Sequence, residues 1–559
     1  MNDPEEFSQI RGAQMATLQN DTINIGRLFG PDFFFSIPNY QRPFSWDKDN
    51  LSDLIDDLIA AKRDSDYFLG TLVLHQTSEN NFDVVDGQQR LTALSILLAC
   101  LRDHIGGNPV EIQELLMQPE RTFAGIPARV RLSVRDSAPY HRIVCTHNGT
   151  RAASPAPSIL GSTERRYLEA TGIFSEKLAE LSVGELQGLA EFIIRRVVVI
   201  YLAANTFDDA FRLFTVVNDR GKQLRRIDIL KAANLSPSAI SDPSVRDEYA
   251  RKWEDLEEGI GEAEFESLFH SLRLIYVQEK PEGDLLHEFD TRIFSKPNRP
   301  TRGTNFINTL ETYVNLYESL FVTRDFMIDT DYHAKYKTLT YSMISEYRAN
   351  EWRACILLYA MKYKQAGMYQ FLLKLEQMYL GHWVNSIRKD ERYSSYTLIL
   401  KSIESSKFGR AVAENIEPNT EAIRDACKNA NFYGTGYAKY LLLRAEIAST
   451  ELDSPREFTA RSIEHVLPQS PAPDSEWKST FSQSEIDELV HNSGNLVLLS
   501  RSKNSSAQNK DFELKRNTYL KPRISEYPRS LQAVAETEWT PKVIRERTKS
   551  FAALAVVDI

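Results

Sequence analysis

The arrangement of apolar and polar residues predicts a β-hairpin followed by a helix in the first third of the chain. Phe68–His75 is predicted to be a strand, residues 77–81 form a turn, and Phe82–Val85 is predicted to return as the second strand. Leu91–Leu101 follows and is mostly apolar, which indicates a helix. Upstream, an acidic helix is predicted from about Asp47 to Lys62.

Helical patterns dominate further along the chain. Residues 240–445 show helical periodicity with many Tyr and Leu positions and few turn-forming clusters, so we expect a helical spacer there. Before it, a helix from about Asp208 is predicted to end near Asn218, and a second helix is predicted to start near Arg226. Close to the C-terminus, Asn495–Leu499 is a short apolar run that is typical of a strand.

Length and composition are those of an ordinary protein with several domains. At about 150 residues per domain, the chain of 559 residues is expected to form roughly three or four. It has no run of about eighteen apolar residues and no basic-then-apolar signal at the N-terminus, so we expect a cytoplasmic protein. The four cysteines show no CxxC spacing, which is typical of reduced structural thiols; they are Cys100, Cys145, Cys355 and Cys427.

The net charge of −10 argues against indiscriminate nucleic-acid binding, but the charge is unevenly distributed. Residues 501–550 contain twelve Lys or Arg against six Asp or Glu. A basic segment of this kind can hold a phosphate backbone, although a solvated charged helix explains any one of these side chains about as well. The candidate backbone contacts are Lys503, Lys510, Lys515 and Arg516.

Three short segments near the C-terminus carry the residue types that phosphodiester hydrolysis needs. The reaction requires a base for water, a divalent cation at phosphorus, and ligands that leave part of the cation open. His465 suits the base because a neutral imidazole accepts a proton near neutral pH. Glu464 and Asn504 offer the hard oxygens that Mg²⁺ or Mn²⁺ prefers, and Asn495 can orient the imidazole.

A buried His-Asn cluster in an ordinary domain is the alternative interpretation of these residues. His491 lies close to Asn495 in sequence. It is either a third site residue or a residue on the approach to the strand, and we favour the second interpretation.

A second group of candidates lies between the hairpin and the apolar helix: Asp86, Gly87, Gln88, Gln89 and Arg90. Asp86 is expected at the helix N-cap, and Gly87 permits a sharp entry. Backbone N–H groups at the helix start, with Arg90 one turn in, would form an anion pocket suited to phosphate. Gln88 and Gln89 could contact a base, a ribose or a phosphate. A capped helix whose Arg pairs with a carboxylate is an equally good interpretation.

Upstream of the hairpin, the segment IPNYQRPFSW at residues 37–46 interleaves aromatic residues with Gln and Arg. Tyr40, Gln41 and Arg42 could stack a base and contact phosphate. A strand that packs its aromatic side chains into a core is equally consistent with the pattern. The chain has no GxxxxGK[ST] sequence, so a nucleotide site in this region is not a P-loop.

Glu464-His465, Asn495 and Asn504 resemble the HNH (ββα-metal) nuclease motif in its His-Asn-Asn form. In that family a hairpin carries the His, a loop carries the first Asn, and a helix carries the last ligand. The resemblance implies that His465 is the general base, that Glu464 and Asn504 are metal ligands, and that Asn495 orients the base. Glu464 departs from the pattern, since Asp or His is commoner at that position.

The N-terminal segments resemble the N-terminal domain of GmrSD-type restriction systems, which is related to the ParB/sulfiredoxin-like fold. The resemblance is carried by IPNYQRPFSW, FLGTLVL and DGQQRLTAL, and it extends to VNDRGKQL and DILK. In that family the domain is associated with nucleotide binding and hydrolysis and with the sensing of modified DNA. The resemblance implies that the nucleotide-binding or DNA-sensing residues are Tyr40, Gln41, Arg42, Asp86, Gly87, Gln88, Gln89 and Arg90.

The expected fold class is α+β and mostly helical overall, with a ParB-like α/β domain, a helical middle and a C-terminal ββα-metal (HNH) domain. The expected divisions are an N-terminal tail at 1–20, a DGQQR domain at 21–235, a helical spacer at 236–445 and a nuclease domain at 446–559.

The expected function is metal-dependent cleavage of DNA, above all modified phage DNA, in prokaryotic anti-phage defence. The cofactors would be Mg²⁺ or Mn²⁺ and an NTP such as GTP or ATP, whose binding or hydrolysis controls cutting. We expect no membrane partner, and a homo-oligomer is compatible with the sequence. Two alternatives stay open: a nucleotide-dependent switch that binds DNA or protein through a degenerate nuclease site, and an HNH toxin that cuts RNA.

Overall fold

The computed structural model describes residues 19–38, 41–107, 109–152, 162–217, 225–458, 462–499, 510–517 and 527–559. Four residues singled out above, Tyr40, Asn218, Lys503 and Asn504, lie outside the described residues. The chain divides into two compact units, the first ending at Arg251 and the second beginning at Lys252. Among the described residues, no helix combines the length and the apolar content needed to cross a bilayer.

The first unit is built on a mixed sheet of six strands in the order β1-β8-β3-β4-β2-β7. The pairs β1·β8 and β3·β4 are antiparallel, and β8·β3, β4·β2 and β2·β7 are parallel. A separate two-stranded hairpin joins β5 to β6. The strands are β1 (Gln19–Asn24), β2 (Phe34–Ser36), β3 (Tyr67–Ser78), β4 (Asn81–Asp86), β5 (Met117–Gln118), β6 (Arg129–Val130), β7 (Leu132–Ser133) and β8 (Val197–Ala204).

One helix, α3, forms the centre of the first unit, because its residues are buried along nearly its whole length. It packs against α4, α6 and α7, which explains why its sequence is apolar on every face. The helices of this unit are α1 (Ile25–Leu28), α2 (Lys48–Ala60), α3 (Gln88–Ile105), α4 (Val110–Leu116), α5 (Ser137–Tyr140), α6 (Ser162–Leu178), α7 (Val183–Arg196), α8 (Phe207–Val217) and α9 (Arg226–Asn234). Helix α10 (Pro243–Ile260) contains the division between the units.

The predicted hairpin, the predicted apolar helix and the predicted acidic helix are confirmed as β3–β4, α3 and α2. The N-cap of α3 differs from the prediction, since Gly87 rather than Asp86 occupies it. Gly87 has a φ of 94°, and a Cβ there would lie 2.2 Å from Cδ2 of Leu72. Only glycine fits this turn, because an L side chain would meet both backbone strain and a clash.

A buried ion pair at the C-terminal end of α3 fixes the loop that follows α5. Arg102 Nε lies 2.7 Å from Asp103 Oδ1, and both side chains are fully buried. Arg102 also donates to the carbonyl oxygens of Val144 and Thr146, while Asp103 accepts from the Thr150 backbone and hydroxyl. Each charge therefore has several hydrogen-bond partners, which a buried ion pair needs if it is not to destabilise the fold.

The second unit is mostly helical, and the helical middle predicted for residues 240–445 is confirmed. Its helices up to the last third are α11 (Glu262–Val277), α12 (Leu285–Glu288), α13 (Thr304–Tyr317), α14 (His333–Glu346), α15 (Glu351–Tyr363), α16 (Met368–Val384), α17 (Lys389–Ser405), α18 (Gly409–Glu414), α19 (Thr420–Cys427) and α20 (Ala438–Ala448). Aromatic side chains fill much of its core, and Tyr347 and Tyr379 stack with their ring centroids 3.7 Å apart.

The C-terminal part of this unit holds a small antiparallel sheet, in which β9 (Ser462–His465) pairs with β10 (Leu496–Leu499). His465 is the last residue of β9 and lies opposite Leu496. The helices around the sheet are α21 (Glu476–Thr480), α22 (Gln483–Leu489), α23 (Phe512–Lys515), α24 (Pro528–Ala535) and α25 (Pro541–Leu554). Of the run predicted as a strand, Asn495 lies in a 3-10 turn (Ser493–Asn495), and the strand begins at the next residue.

A buried charge cluster joins the helical middle to the C-terminal end of the chain. Arg444 Nε on α20 lies 2.9 Å from Glu376 Oε1 on α16, and neither side chain is exposed. Tyr440 donates its hydroxyl to the same carboxylate oxygen at 2.9 Å. Arg444 also donates to the carbonyl oxygens of Leu554 and Val557, so one guanidinium ties α16, α20 and the end of α25 together.

All four cysteines are buried and none forms a disulfide. Burial raises the pKa of the Cys100 thiol to about 12 and that of Cys145 to about 11. A thiol that stays protonated is a poor nucleophile and a poor metal ligand, so these cysteines serve as packing residues.

Replacing Glu376 with alanine should destabilise the second unit strongly. The change leaves the Arg444 guanidinium buried without its counter-charge, which costs about 3–5 kcal/mol of unfolding free energy. Thermal unfolding followed by circular dichroism measures the effect. The control is Glu414→Ala, which breaks the exposed pair of Glu414 with Arg410 and should change stability by less than about 1 kcal/mol. Equal shifts for the two variants would contradict the assignment.

Candidate functional site

The His465 imidazole at the end of β9 lies between two polar side chains. Its Nε2 is 3.1 Å from Nδ1 of His491, and its Nδ1 is 3.2 Å from the Nε2 amide of Gln469. The ring of Tyr433 packs against it, with centroids 4.4 Å apart, and is nearly parallel to the ring of His491. The Tyr433 backbone N–H also donates to the His491 carbonyl at 3.1 Å. The imidazole is therefore oriented from several directions.

Asn495 holds the loop that follows His465 through its side-chain amide. Its Oδ1 accepts from the Leu467 backbone N–H at 2.7 Å and from Trp539 Nε1 at 3.0 Å. Its Nδ2 donates to the carbonyl oxygens of Leu467 and Val490 at 3.0 and 2.8 Å. Both donors and both acceptor positions are thus used, and the side chain is fully buried. Asn495 fixes the main chain next to His465 and makes no side-chain hydrogen bond to the imidazole among those that the structure describes.

Glu464, predicted as a metal ligand, forms a buried ion pair with Lys515. Lys515 Nζ lies 3.1 Å from Glu464 Oε1 and 2.5 Å from the His465 carbonyl oxygen. The Lys515 side chain, at the C-terminal end of α23, is 0% exposed. Its ammonium group therefore neutralises Glu464 and anchors the end of β9. Contact between Lys515 and a DNA phosphate, as the sequence suggested, would require this side chain to leave the interior.

Two buried arginines hold the turn that precedes β10. Arg529 donates to the Ser493 carbonyl at 3.2 Å, and Arg547 donates to the Gly494 carbonyl at 3.0 Å. Burial lowers the pKa of Arg529 to about 10 and that of Arg547 to about 9. Glu446 on α20 in turn accepts from the Arg529 backbone N–H at 2.7 Å. The Asn495 turn is thus held by residues from α20, α24 and α25.

The other predicted backbone contacts lie on the segment around α23. Lys510 is exposed, while its carbonyl oxygen accepts from Trp477 Nε1 at 3.0 Å. Arg516 donates to the Glu536 carbonyl at 2.7 Å, and its guanidinium lies over the ring of Phe512. Lys510 is therefore the basic residue of the predicted set that the described structure leaves on the surface without a side-chain ion pair.

The described residues fit a divalent cation only in part. Glu464 brings one carboxylate next to the candidate base, which suits Mg²⁺ or Mn²⁺, but that carboxylate is paired with Lys515. In the described ranges, no three His, Cys, Asp or Glu side chains group around a common point that could hold a metal ion. The remaining predicted ligand, Asn504, lies outside those ranges.

In the first unit, the two predicted N-terminal motifs lie together. Gln89 on α3 donates its amide to the Pro43 carbonyl at 3.1 Å and accepts from the Ser45 backbone N–H at 2.8 Å. Gln41 donates to the Val85 carbonyl at the end of β4 at 3.0 Å. The segment at residues 41–46 is thus fastened to the start of α3 by side-chain amides.

A pocket opens between these motifs, and Gln88 contributes an unused acceptor to its wall. Gln88 is about nine-tenths buried, and its Oε1 has no hydrogen-bond partner in the described structure. The wall also carries two stacked aromatic rings and both charge signs, from Arg42, Phe44, Arg135, Asp136 and Tyr167. A buried acceptor without a donor costs free energy, so a ligand N–H or O–H group would find a prepared partner here.

Asp86 and Arg90 form a different part of the N-terminal site from this pocket. Arg90 donates to the Thr71 carbonyl at 2.8 Å on β3. Gly70 makes room for this guanidinium, because a Cβ at Gly70 would lie 2.9 Å from Arg90 Cζ. Burial raises the pKa of Asp86, and the positive charge of Arg90 acts in the opposite direction. The pair thus matches the capped-helix alternative in part, since Arg90 has a carboxylate neighbour.

Arg42 links the aromatic segment to the start of α9. Its guanidinium lies 2.5 Å from Asp228 Oδ2, and Arg225 lies 3.0 Å from Asp228 Oδ1. Asp228 belongs to the sequence DILK, which entered the sequence comparison without an assigned role. The structure brings it to the same region as Gln41 and Arg42, where it lines a second small pocket with Phe211 and Phe214.

Sequence reasoning missed two members of the C-terminal site. His491, interpreted as a residue on the approach to the strand, makes a direct hydrogen bond to His465. Tyr433 lies before the predicted start of the nuclease domain at 446, yet its ring covers both histidines. The closeness of His491 to Asn495 in sequence was the available signal for the first; nothing local marked Tyr433.

Comparison with known families gives two matches, one at each end of the chain. Residues 18–235 match the N-terminal domain of GmrSD restriction endonucleases. Residues 417–554 match the C-terminal domain of GmrSD restriction endonucleases. The second match includes Tyr433, His465, His491 and Asn495, and the first includes the Gln88 pocket. No curated protein matches the chain.

The two matches occur in family order, together span well over half of the 559 residues, and enclose both candidate sites. Both domains are those of restriction endonucleases, which supports a nuclease that acts on DNA in defence. The chain belongs to the GmrSD family of restriction endonucleases.

Proposed function

We propose that the chain is a metal-dependent DNA endonuclease of anti-phage defence, with an HNH-type (ββα-metal) site around His465. The observation that carries this proposal is the His465–His491 contact at the end of a two-stranded sheet whose adjoining loop is fixed by Asn495. A general base must be held at a defined position and in a defined tautomer. The buried contacts of this imidazole supply both.

The productive tautomer of His465 carries its proton on Nε2. In that form Nε2–H donates to His491 Nδ1, and His465 Nδ1 accepts from the Gln469 amide. Nδ1 then holds the lone pair that can take a proton from the attacking water. The other tautomer would place the proton on Nδ1 and remove this basic position. His491 thus acts as a positioning residue that selects the reactive form of the base.

A divalent cation held by Glu464 and Asn504 would supply charge neutralisation at phosphorus in this proposal. The chain's own residues prepare its surroundings. Lys515 fixes the Glu464 carboxylate and the end of β9, and the surface residue Lys510 can hold a neighbouring phosphate.

In the N-terminal unit we propose a binding site for a nucleotide, a modified base of DNA, or both, centred on Gln88. The unpartnered Oε1 supports recognition of a ligand N–H or O–H group. The rings of Phe44 and Tyr167 suit a planar base, and Arg42 and Arg135 suit phosphate. Binding or hydrolysis of an NTP at this site would control cutting.

One observation favours a second candidate, a nucleotide-dependent binding switch whose nuclease site is degenerate. Glu464 is already paired with Lys515, so a cation has to compete with a buried ammonium for this carboxylate. Intact nucleotide and DNA binding without any metal-dependent nicking would support this alternative.

Replacing His465 with alanine should abolish cleavage and leave the fold intact. Removal of a general base lowers the rate by roughly 10²- to 10⁴-fold. Plasmid and phage DNA, modified and unmodified, are incubated with Mg²⁺ or Mn²⁺ and each NTP, and nicking is followed on gels. The control is the exposed histidine variant His287→Ala. Cleavage by His465→Ala at the wild-type rate would refute this site.

Substitutions at His491 should separate positioning from packing. His491→Asn keeps an acceptor near the Nδ1 position, whereas His491→Leu has none. We expect His491→Leu to lower kcat roughly 10-fold or more and to change the pH profile of cleavage, because the tautomer of His465 is no longer selected. His491→Asn should restore part of the rate. If both variants lose the same activity with the wild-type pH profile, His491 has only a packing role.

Replacing Gln88 with methionine should weaken ligand binding while leaving the protein at least as stable. The change keeps the length of the side chain and removes the buried acceptor that has no partner. Titration calorimetry with ATP and GTP measures binding, and thermal unfolding measures stability. The matched control is Gln113→Met, because Gln113 makes hydrogen bonds to Arg102 and the Cys145 carbonyl within the fold. Gln113→Met should lower stability and leave nucleotide affinity unchanged; the same pattern for Gln88→Met would contradict the ligand site.

A further inference from the structure

The β5–β6 hairpin of the first unit presents a phenylalanine ring wholly to solvent. The tip of the hairpin is a 3-10 turn, Thr122–Ala124, and Phe123 is 110% exposed relative to the reference value. No other large hydrophobic residue in the described ranges is as exposed. A large exposed aromatic ring gains more than most side chains from burial against a partner, so its position calls for a functional explanation.

Hydrogen bonds hold the tip of this hairpin in a defined conformation. The Arg121 N–H donates to the Ile126 carbonyl at 2.8 Å, and the Ile126 N–H donates back at 3.2 Å. Within the turn, the Ala124 N–H donates to the Arg121 carbonyl at 2.9 Å. Gly125 closes the turn with a φ of 66°. The ring is therefore projected by an ordered backbone, which reduces the entropy lost on binding.

The base of the hairpin is anchored to the sheet. Arg131 is buried, donates to the Glu114 carbonyl at 3.2 Å, and lies over the Phe34 ring of β2. Arg129 lies over the other part of the same ring, with its guanidinium carbon 4.0 Å from the ring centroid. From this anchor the chain continues through β7 to Arg135 in the wall of the Gln88 pocket. The hairpin and that pocket thus share one short stretch of chain.

The surroundings of Phe123 are cationic and small rather than apolar. The Arg121 side chain is 61% exposed and lies 3.8 Å from its nearest carboxylate, on Glu114. The neighbours of Phe123 in the turn are Thr122, Ala124 and Gly125, which offer no apolar rim of the kind that surrounds an aromatic anchor in a protein–protein interface. An exposed ring next to an arginine is instead the combination that stacks on a base and holds the adjoining phosphate.

We propose that Phe123 is an aromatic wedge that stacks on or between DNA bases while Arg121 contacts a neighbouring phosphate. The partner is duplex DNA, so this inference rests on the proposed function. It adds a contact in the N-terminal unit, separate from the residues around His465. The wedge would unstack bases at the side of the unit that carries the hairpin.

The test measures binding of the full chain to a duplex that contains 2-aminopurine, in EDTA so that no metal-dependent cutting occurs. Wild type should raise the fluorescence of 2-aminopurine as the base is unstacked. Phe123→Ala should weaken binding roughly 5- to 100-fold, the range for loss of one base–aromatic stack, and remove the fluorescence rise. Phe123→Trp should retain both signals. The matched control is Phe408→Ala, which removes another exposed ring, 73% exposed, from the second unit.

Arg121→Ala provides a second measurement, in which the logarithm of DNA affinity is plotted against the logarithm of salt concentration. Loss of one phosphate contact should reduce the slope by about 0.9. An unchanged slope would overturn the phosphate contact.

The outcomes separate the wedge from the proposed function. If wild type binds DNA and Phe123→Ala binds equally well with the same fluorescence, the wedge is overturned and the nuclease proposal stands. Absence of DNA binding by wild type would overturn both. If Phe123→Ala changes the sedimentation coefficient while DNA affinity is unchanged, the ring serves a contact between protein chains, and the wedge is again overturned.

Discussion

The candidate nuclease site depends on one fully hydrogen-bonded amide, that of Asn495. Its oxygen accepts from Leu467 and Trp539, and its nitrogen donates to Leu467 and Val490. A shift of the main chain beyond His465 would leave several of these buried groups unpaired, at about 1–3 kcal/mol for each group. The end of β9 is therefore fixed independently of any ligand. His465, as the last residue of that strand, takes its position from the same bonds.

The N-terminal unit uses the same principle at Gln89 and departs from it at Gln88. Gln89 satisfies its amide with the main chain at Pro43 and Ser45, so its place in the motif is explained by the fold alone. Gln88, its neighbour in sequence, keeps a buried acceptor unsatisfied. The fold gains nothing from that arrangement, since an apolar side chain of similar size would avoid the cost. The contrast between the two glutamines distinguishes a structural role from a ligand-binding role within a single motif.

Local pattern was enough to predict the β3–β4 hairpin, the acidic helix α2, the apolar helix α3 and the helical middle, because each depends on periodicity within the element itself. The same reasoning brought His465 and Asn495 into one site. It could not predict that Lys515 would be buried against Glu464 fifty-one residues away, since a lysine in a basic segment is ordinarily solvated. Nor could it find Tyr433, whose ring meets the histidines only in the folded chain. Contacts between distant segments decided what local pattern left open.

The Lys515–Glu464 pair is not explained by stability, because two apolar residues of similar size would hold this position as well or better. Its location suggests a reason. Lys515 reaches both the Glu464 carboxylate and the His465 carbonyl, so a single ammonium neutralises the acid beside the base and fixes the backbone that carries it. With the neighbouring charges balanced, the hydrogen bonds of His465 to His491 and Gln469 are left to decide which ring nitrogen carries the proton. In this arrangement Asn495 and Lys515 fix the position of the base, and His491 fixes its chemical form.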